Sequence, residues 1–379
     1  MNIEEHYDCI NRMKGTSTYF SRWQSIRDVY KPKLDVDLFE EKAQYTPHDY
    51  ERHCINIYNI LSQIIPQDAY TTTLNAEQLF LLNIAVILHD VAMVLNLNDP
   101  KMRDGHSEMA KEYIKNEVIA RNKSFLSELL SPAEAEFISE IIFGHSDIKE
   151  NGTTILKSIE LLTKSPKTGY LGKRIDVRLL SALLRLADEL DINSDRVKFK
   201  HHLAPRIEDK SQPHWRKCDI FTLPNLDDRN TSQINLRLHE SRIKSEGNFE
   251  NDIILANEVL KKVKAELKYL NETVFYVSNI TWWHIQSVII FTEDQEICSA
   301  IEKKSTIPLI TTISQNEAAS TNAILVEEEK IVEVVGEKTS INVIDTKFSM
   351  RIDNWVKENH LFNSGHYYLT KEMCARDWM

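Results

Sequence analysis

The stretch Leu79–Asp90, reading LFLLNIAVILHD, constrains this chain more than any other. Leu79, Leu82, Val86 and Met93 recur at helical intervals with no proline or glycine between them, so the segment reads as a deeply apolar helix. It ends in two adjacent ionisable residues, His89 and Asp90. Burying an unpaired charge is very costly, so that pair needs either an ion-pair partner or a metal ion.

Composition narrows the context. The chain has 379 residues, 42% hydrophobic and 27% charged, enough for two domains of ordinary globular character. Asn83, His89 and Asp90 interrupt the most apolar run, so no membrane span is expected. The opening MNIEEHYDC lacks the basic and apolar regions of a secretory signal. Cys9, Cys54, Cys218, Cys298 and Cys374 are scattered with no C-x-x-C spacing, which argues against a disulfide framework and a thiolate zinc site and fits a reducing cytoplasm. A net charge of −11 disfavours duplex nucleic acid as a partner. With nine glycines and neither Gly-rich phosphate-loop pattern, nucleotide binding through such a loop is excluded.

Residues 1–45 read as helical segments broken near Lys31-Pro32-Lys33, with Trp23, Ile26 and Tyr30 as an apolar stripe. Thr46 suits an N-cap, Pro47 the first helical position and Asp49 the third, opening a helix that runs to about Ile65. His53 lies on its apolar face with Ile57, Ile60, Leu61 and Ile64. Most lone histidines so placed are satisfied core residues. After His89-Asp90 come a loop around Asn96–Pro100, a helix from Gly105-His106 to about Ala120, and a helix capped by Ser131 that reaches His145. The segment Asp176–Ile192 carries a leucine stripe with Asp188 inside it, and Arg185 and Glu189 are spaced for an i, i+4 surface pair.

In order, these residues are His53, His89-Asp90, His106, His145 and Asp188, distributed over five helices. The arrangement resembles the HD superfamily of metal-dependent phosphohydrolases, with signature H…HD…D and further histidines in some branches. The likeness covers roughly residues 40–200. It is most specific in LLSALLRLADELDINSDR (Leu179–Arg196) and YTPHDYERH (Tyr45–His53), which look like the HD-type domain of bacterial conflict systems, sometimes fused to chaperone-like ATPases. Of the two His-Asp dipeptides, His89-Asp90 is the better match, because His48-Asp49 sits in a cap.

The resemblance implies that His53, His89, Asp90 and Asp188 hold one metal ion, and that His106 and His145 hold a second with Asp90 bridging. Imidazole with carboxylate suits Mn, Fe, Co, Ni or Zn better than an all-oxygen ion; one or two ions, Mg included, are the expected cofactors. Such ions polarise a phosphoryl oxygen and acidify bound water, with Asp90 central to the chemistry and His48 as a leaving-group acid or substrate contact. Arg185 and Arg196 are the leading phosphate-facing cations, followed by Lys173, Arg174 and Arg103; an intramolecular ion pair to Glu189 or Asp191 is the alternative role for both leading arginines.

Beyond Arg196 the pattern changes to strands at Cys218–Leu223 and Gln233–His239, a helix at Asp252–Glu272, and a strand at Ser287–Thr292. A helix at Asp294–Lys303, strands at Leu309–Ile313, Ala323–Val326, Ile331–Val335 and Ile341–Ile344 with a turn at Gly336, and a helix at Phe348–Asn359 follow. The expected class is α+β: an all-α HD-type domain over 1–200, a strand–helix extension over 201–285, and an α/β accessory region over 286–379. The expected function is hydrolysis of a phosphoester or phosphoanhydride in a nucleotide, either a (d)NTP or a second messenger, in cytoplasmic antiphage defence. The alternative is a non-catalytic module that senses a nucleotide or docks a protein partner, homo-oligomer included, through the C-terminal region.

Overall fold

A computed structural model describes residues 7–15, 17–35, 46–95, 102–120, 124–150, 153–169, 172–197, 207, 209, 211–226, 232–245, 248–277, 280–304, 323–327, 330–335 and 340–343. The chain divides into two compact units, Met1–Ser305 and Thr306–Met379. The architecture is α+β and dominated by a helical domain with a few small sheets.

We number the principal helices of the first unit α1 Ser17–Leu34, α2 Ile55–Ile64, α3 Ala76–Leu88, α4 Met102–Lys115, α5 Pro132–Gly144, α6 Val177–Leu190, α7 Gln212–Asp219, α8 Phe249–Leu270 and α9 Gln295–Lys304. Helix α3 is the axis. Every residue from Glu77 to Leu88 is buried, and α1, α5 and α6 pack around it. By composition the stretch Ala76–Met93 is apolar and long enough to cross a membrane, contrary to the expectation that its polar residues disqualify it, but 94% of it is buried inside the fold. Asn83 sits in that core because its amide donates to the carbonyls of Leu79 and Cys9.

Local signals set most helix starts. Asn75 caps α3 and exchanges bonds with Gln78, while Ser131 and Glu134 do the same at α5, with Pro132 in its first turn. Glu134 also receives Arg22 from α1, so this cap ties two helices together. Replacing Ser131 by alanine should lower stability by about 1 kcal/mol; a denaturant midpoint unchanged from the parent would show that the cap is dispensable.

Several expected boundaries move. Helix α1 passes Pro32 and ends at Leu34. The ring sits in the last turn, where it removes only one intrahelical bond. Trp23, Ile26 and Tyr30 form the buried stripe as expected. The cap near residue 46 is Asp49 rather than Thr46: its carboxylate accepts from the Arg52 amide at 2.8 Å and from Arg52 Nε at 2.9 Å. A π-helical turn, Tyr50–Cys54, then leads into α2. A carboxylate beside two donors of one arginine outcompetes a threonine hydroxyl for the capping role, and the shift leaves His48 outside the helix.

Four strands form two small hairpins, β1 Ile148–Glu150 with β2 Thr153–Leu156, and β3 Lys167–Thr168 with β4 Arg174–Ile175. A three-stranded sheet has the order β5 (Asn225–Leu226), β6 (Gln233–Arg237), β7 (Ser287–Phe291). β6 and β7 run parallel, joined by a crossover through α8, which packs on β7. The strand expected at Cys218–Leu223 is not one. Cys218 and Asp219 end α7, and Phe221 makes a single bridge to Leu238. Trp215 and Cys218 pack with Val197 and Ile207 in a small apolar cluster, which needs helical spacing between them.

In the second unit, β8 (Ala323–Glu327), β9 (Lys330–Val335) and β10 (Ser340–Val343) form an antiparallel meander. The strand expected at Leu309–Ile313, the turn at Gly336 and the helix at Phe348–Asn359 lie outside the described residues.

Candidate metal centre

Three helices bring their carboxyl ends to one place. His89 is the C-cap of α3 and His145 that of α5, while Asp188 lies in the last turn of α6. The C-terminus of a helix carries partial negative charge and favours a cation. His53 enters from the π-helical turn ahead of α2, and π turns are frequent at functional sites. His106 enters from α4.

The side chains converge closely. His53 Nε2 lies 3.0 Å from His89 Nε2, 3.2 Å from Asp90 Oδ2 and 3.4 Å from Asp188 Oδ1. His89 Nε2 is 3.1 Å from Asp90 Oδ2. His106 Nε2 is 3.1 Å from His145 Nε2 and 3.5 Å from Asp90 Oδ1. His48 Nδ1 meets Asp90 Oδ2 at 2.5 Å. His53, His89, Asp90 and His145 are buried, whereas the Asp188 side chain is 31% exposed, so the cluster opens toward solvent on the Asp188 side.

The donor set fits a divalent cation. His89 Nδ1 donates to the Val86 carbonyl at 2.9 Å, and His145 Nδ1 to the Ile142 carbonyl. A carbonyl oxygen can only accept, so in the neutral rings Nε2 carries the lone pair. His53 is fixed in the same sense, with Nδ1 donating to Asp191 at 2.6 Å. The Nε2 atoms of His53 and His89 face each other at 3.0 Å, and two lone pairs so placed repel unless a proton or a metal ion lies between them; His106 Nε2 meets the His145 lone pair at 3.1 Å. A histidine whose far nitrogen is bonded to a carboxylate or carbonyl is prepared as a metal ligand. Three overlapping groups satisfy metal-ligand proximity, His48/His53/Asp90, His53/His89/Asp188 and His89/Asp90/His145, each with ligand atoms within 4.8 Å of one another.

The electrostatics show the same demand for positive charge. Burial raises the Asp90 carboxyl, but His89 and His48 beside it hold it well below the usual carboxylate range. Burial opposes Asp188 likewise, and His53 and His89 lower it. Burial and Arg196 disfavour a charged His53, yet bonds to Asp191 and Asp90 prevail and lift it to about 9. His145 goes the other way: burial, reinforced by His89 and His106, pushes it down to about 3. Burial also lowers His48, against the pull of Asp90. Asp90 and Asp188 thus stay ionised beside neutral His48 and His145, and the positive charge that the carboxylates draw onto His53 is the charge a cation would supply in its place.

Not every residue singled out from the sequence joins the cluster. Arg185 is buried on α6, its Nε and Nη2 on Glu266 of α8 and its Nη1 2.5 Å from Asp147. The expected surface pair with Glu189 does not form; Glu189 instead accepts from Lys262 at 2.7 Å. Arg196 is buried against the Pro47 and Asp191 carbonyls at 2.7 and 3.0 Å. Lys173 is exposed just before β4, which leads into the start of α6. At about 1.5 Å of rise per residue, the start of α6 is roughly 16 Å from Asp188. Arg103 carries no described side chain. The residue the sequence did not distinguish is Asp191, visible beforehand only as a nearby acid for Arg196. Glu266 and Asp147 were likewise silent, since they reach Arg185 only after α8 and the β1 hairpin have folded against α6.

A family model described as HD-CE matches residues 43–269. No curated protein and no solved structure matches the chain. The matched span contains every residue of the cluster.

Proposed function

The chain belongs to the HD-CE family, and from that premise we propose that it is a metal-dependent phosphohydrolase acting on a nucleotide. The observation that carries this reading is the convergence of buried imidazole nitrogens on two ionised carboxylates, in a cluster open on one side. His53, His89, Asp90 and Asp188 would hold one divalent ion, and His106 and His145 would share Asp90 with a second. Ions of this kind supply Lewis acidity toward a phosphoryl oxygen and an activated water near neutral pH.

The chain's own residues account for the rest. The C-terminal ends of α3 and α5 and the ionised Asp90 and Asp188 favour cationic charge. The burial of His53, His89 and His145 keeps competing water away from the inner side. His48, with Nδ1 on Asp90 and its side chain 21% exposed, presents Nε2 as the atom where a proton is accepted or returned. Phosphates would enter beside Asp188. The likeness to conflict-system domains supports a role in antiphage defence and a nucleotide as substrate, either a (d)NTP or a second messenger.

The test is metal analysis of the purified protein, followed by a nucleotide panel read by product mass. We expect one or two equivalents of Mn, Fe, Co or Ni and turnover of at least one nucleotide, and we expect His106→Ala to remove one equivalent where two are bound. Tripolyphosphate, pyrophosphate or a cleaved diester among the products identifies the bond. Metal-free protein that takes up no cobalt or manganese on titration would overturn the reading.

A second reading, a module that binds a nucleotide without hydrolysing it, is favoured by one observation. Both arginines expected to face phosphate, Arg185 and Arg196, are committed to intramolecular partners. Tightly held nucleotide with no turnover under any of these metals would select that reading.

A further inference from the structure

The carboxylate of Asp191 lies just beyond α6, and the chain folds four groups around it. Oδ2 accepts from His53 Nδ1 at 2.6 Å, while Oδ1 accepts from Asn56 Nδ2 at 2.9 Å and Asn193 Nδ2 at 2.6 Å. Arg196 Nε approaches Oδ2 at 3.4 Å. Asp191 is 1% exposed, so its negative charge is compensated wholly by protein groups. The same Arg196 spans outward: Nη1 donates to the Asp191 carbonyl at 3.0 Å, and Nε and Nη2 donate to the Pro47 carbonyl at 3.2 and 2.7 Å. Pro47 precedes His48, whose Nδ1 is bonded to Asp90.

We propose that Asp191 and Arg196 are a positioning unit that sets both imidazoles of the Pro47–His53 segment against Asp90 and Asp188. Asp191 acts on His53: by accepting a hydrogen bond from Nδ1–H it keeps that proton on the outer nitrogen, turns Nε2 inward and fixes the plane of the ring. Arg196 acts on His48: by forking onto the Pro47 carbonyl it anchors a segment that has no helical bonds of its own, because the helix starts only after Asp49. Neither residue reaches the reacting atoms. This inference rests on the metal-binding reading above, and extends it to residues on which no metal would sit.

The isostere is discriminating at position 191. An asparagine amide placed toward Oδ1 points its NH2 at two other NH2 groups. Placed toward Oδ2, it donates to His53 Nδ1 and forces the ring's proton onto Nε2, the wrong side for ligation. Arginine partners differ at position 196, since lysine offers one centre in place of a planar fork.

The test titrates cobalt(II) into metal-free full-length protein and records the visible ligand-field spectrum and the thermal midpoint together. The expected result is that Asp191→Asn weakens cobalt binding 10–100-fold, the range for losing the partner of a ligating histidine, and alters the spectrum. Arg185→Lys is the control, a buried arginine on the same helix that touches none of the cluster: it should lower the thermal midpoint and leave cobalt affinity and spectrum unchanged. Arg196→Lys should keep the cobalt stoichiometry and spectrum while reducing turnover, and restoring Arg196 should recover it. Should Asp191→Asn fail to accumulate as folded protein, Asn56→Ala removes one donor from Oδ1 and should weaken cobalt binding by about 3-fold. Wild-type cobalt affinity in Asp191→Asn or Asn56→Ala would overturn the inference, as would an equal loss in Arg185→Lys. Failure of the parent protein to bind cobalt would instead strike at the metal-binding reading itself.

Discussion

Replacing Asp90 by alanine is expected to abolish metal uptake and hydrolysis while leaving helical content largely intact. Asp90 is the common neighbour of the cluster, within 3.5 Å of His53, His89 and His106 and bonded to His48. Without it, Asp188 is the one carboxylate left among the residues proposed to hold metal, and Asp188 sits at the open edge, where water screens it. Asp90 lies between α3 and the short helix Val91–Leu95; its carbonyl, which accepts from the Met93 amide at 2.9 Å, is kept in the variant, and alanine is a good helix former. In the metal-free protein the variant also removes the carboxylate to which His48 Nδ1 is bonded. Metal analysis, circular dichroism and a turnover assay read the three consequences separately. An Asp90→Ala protein that keeps its full metal complement and its activity would refute the assignment of the site.

Gly144→Val should be the most destabilising single change on the scaffold of the site. A Cβ at Gly144 would lie 2.6 Å from Leu162 Cδ1, 2.7 Å from Ser181 Oγ and 2.8 Å from Ser181 Cβ. Ser181 cannot swing aside cheaply, because its hydroxyl is bonded to the Val177 carbonyl at 2.8 Å. The collision therefore pushes α5 away from α6, and the very next residue is His145. Overpacking of this kind costs about 1–3 kcal/mol even for modest additions, so Gly144→Ala should lose that much and valine more. The expected readouts are a lowered thermal midpoint and weaker metal binding in the same variant. A valine variant with the parent's midpoint would show that the two helices are not in close contact.

These two changes also separate what can be read from a sequence from what cannot. The types of the clustered residues, their order and the apolar helix that ends in His89-Asp90 are legible in one dimension, because helical periodicity and residue chemistry are local properties. So is the cap at Ser131, written within four residues. The sequence also shows that imidazole and carboxylate outnumber other donors at these helix ends, and hence what class of ligand they suit.

What the sequence leaves open is settled by groups that meet only across the fold. Thr46 and Asp49 compete for one cap, and the winner depends on how Arg52 turns; the outcome places His48 outside the helix and against Asp90, 42 residues away. Arg185 has an acid four residues on, yet it binds Glu266, 81 residues away, because α6 and α8 bury that face together and a buried guanidinium takes the partners that are buried with it. Asp191 looks like any acid at a helix end until the π turn and α2 lay His53 and Asn56 upon it, and Gly144 looks like an ordinary helix stop until α6 arrives within van der Waals range. Sequence determined which residues and which helices; tertiary packing alone decided their partners, since hydrogen-bond geometry and steric contact depend on separation in space and not along the chain.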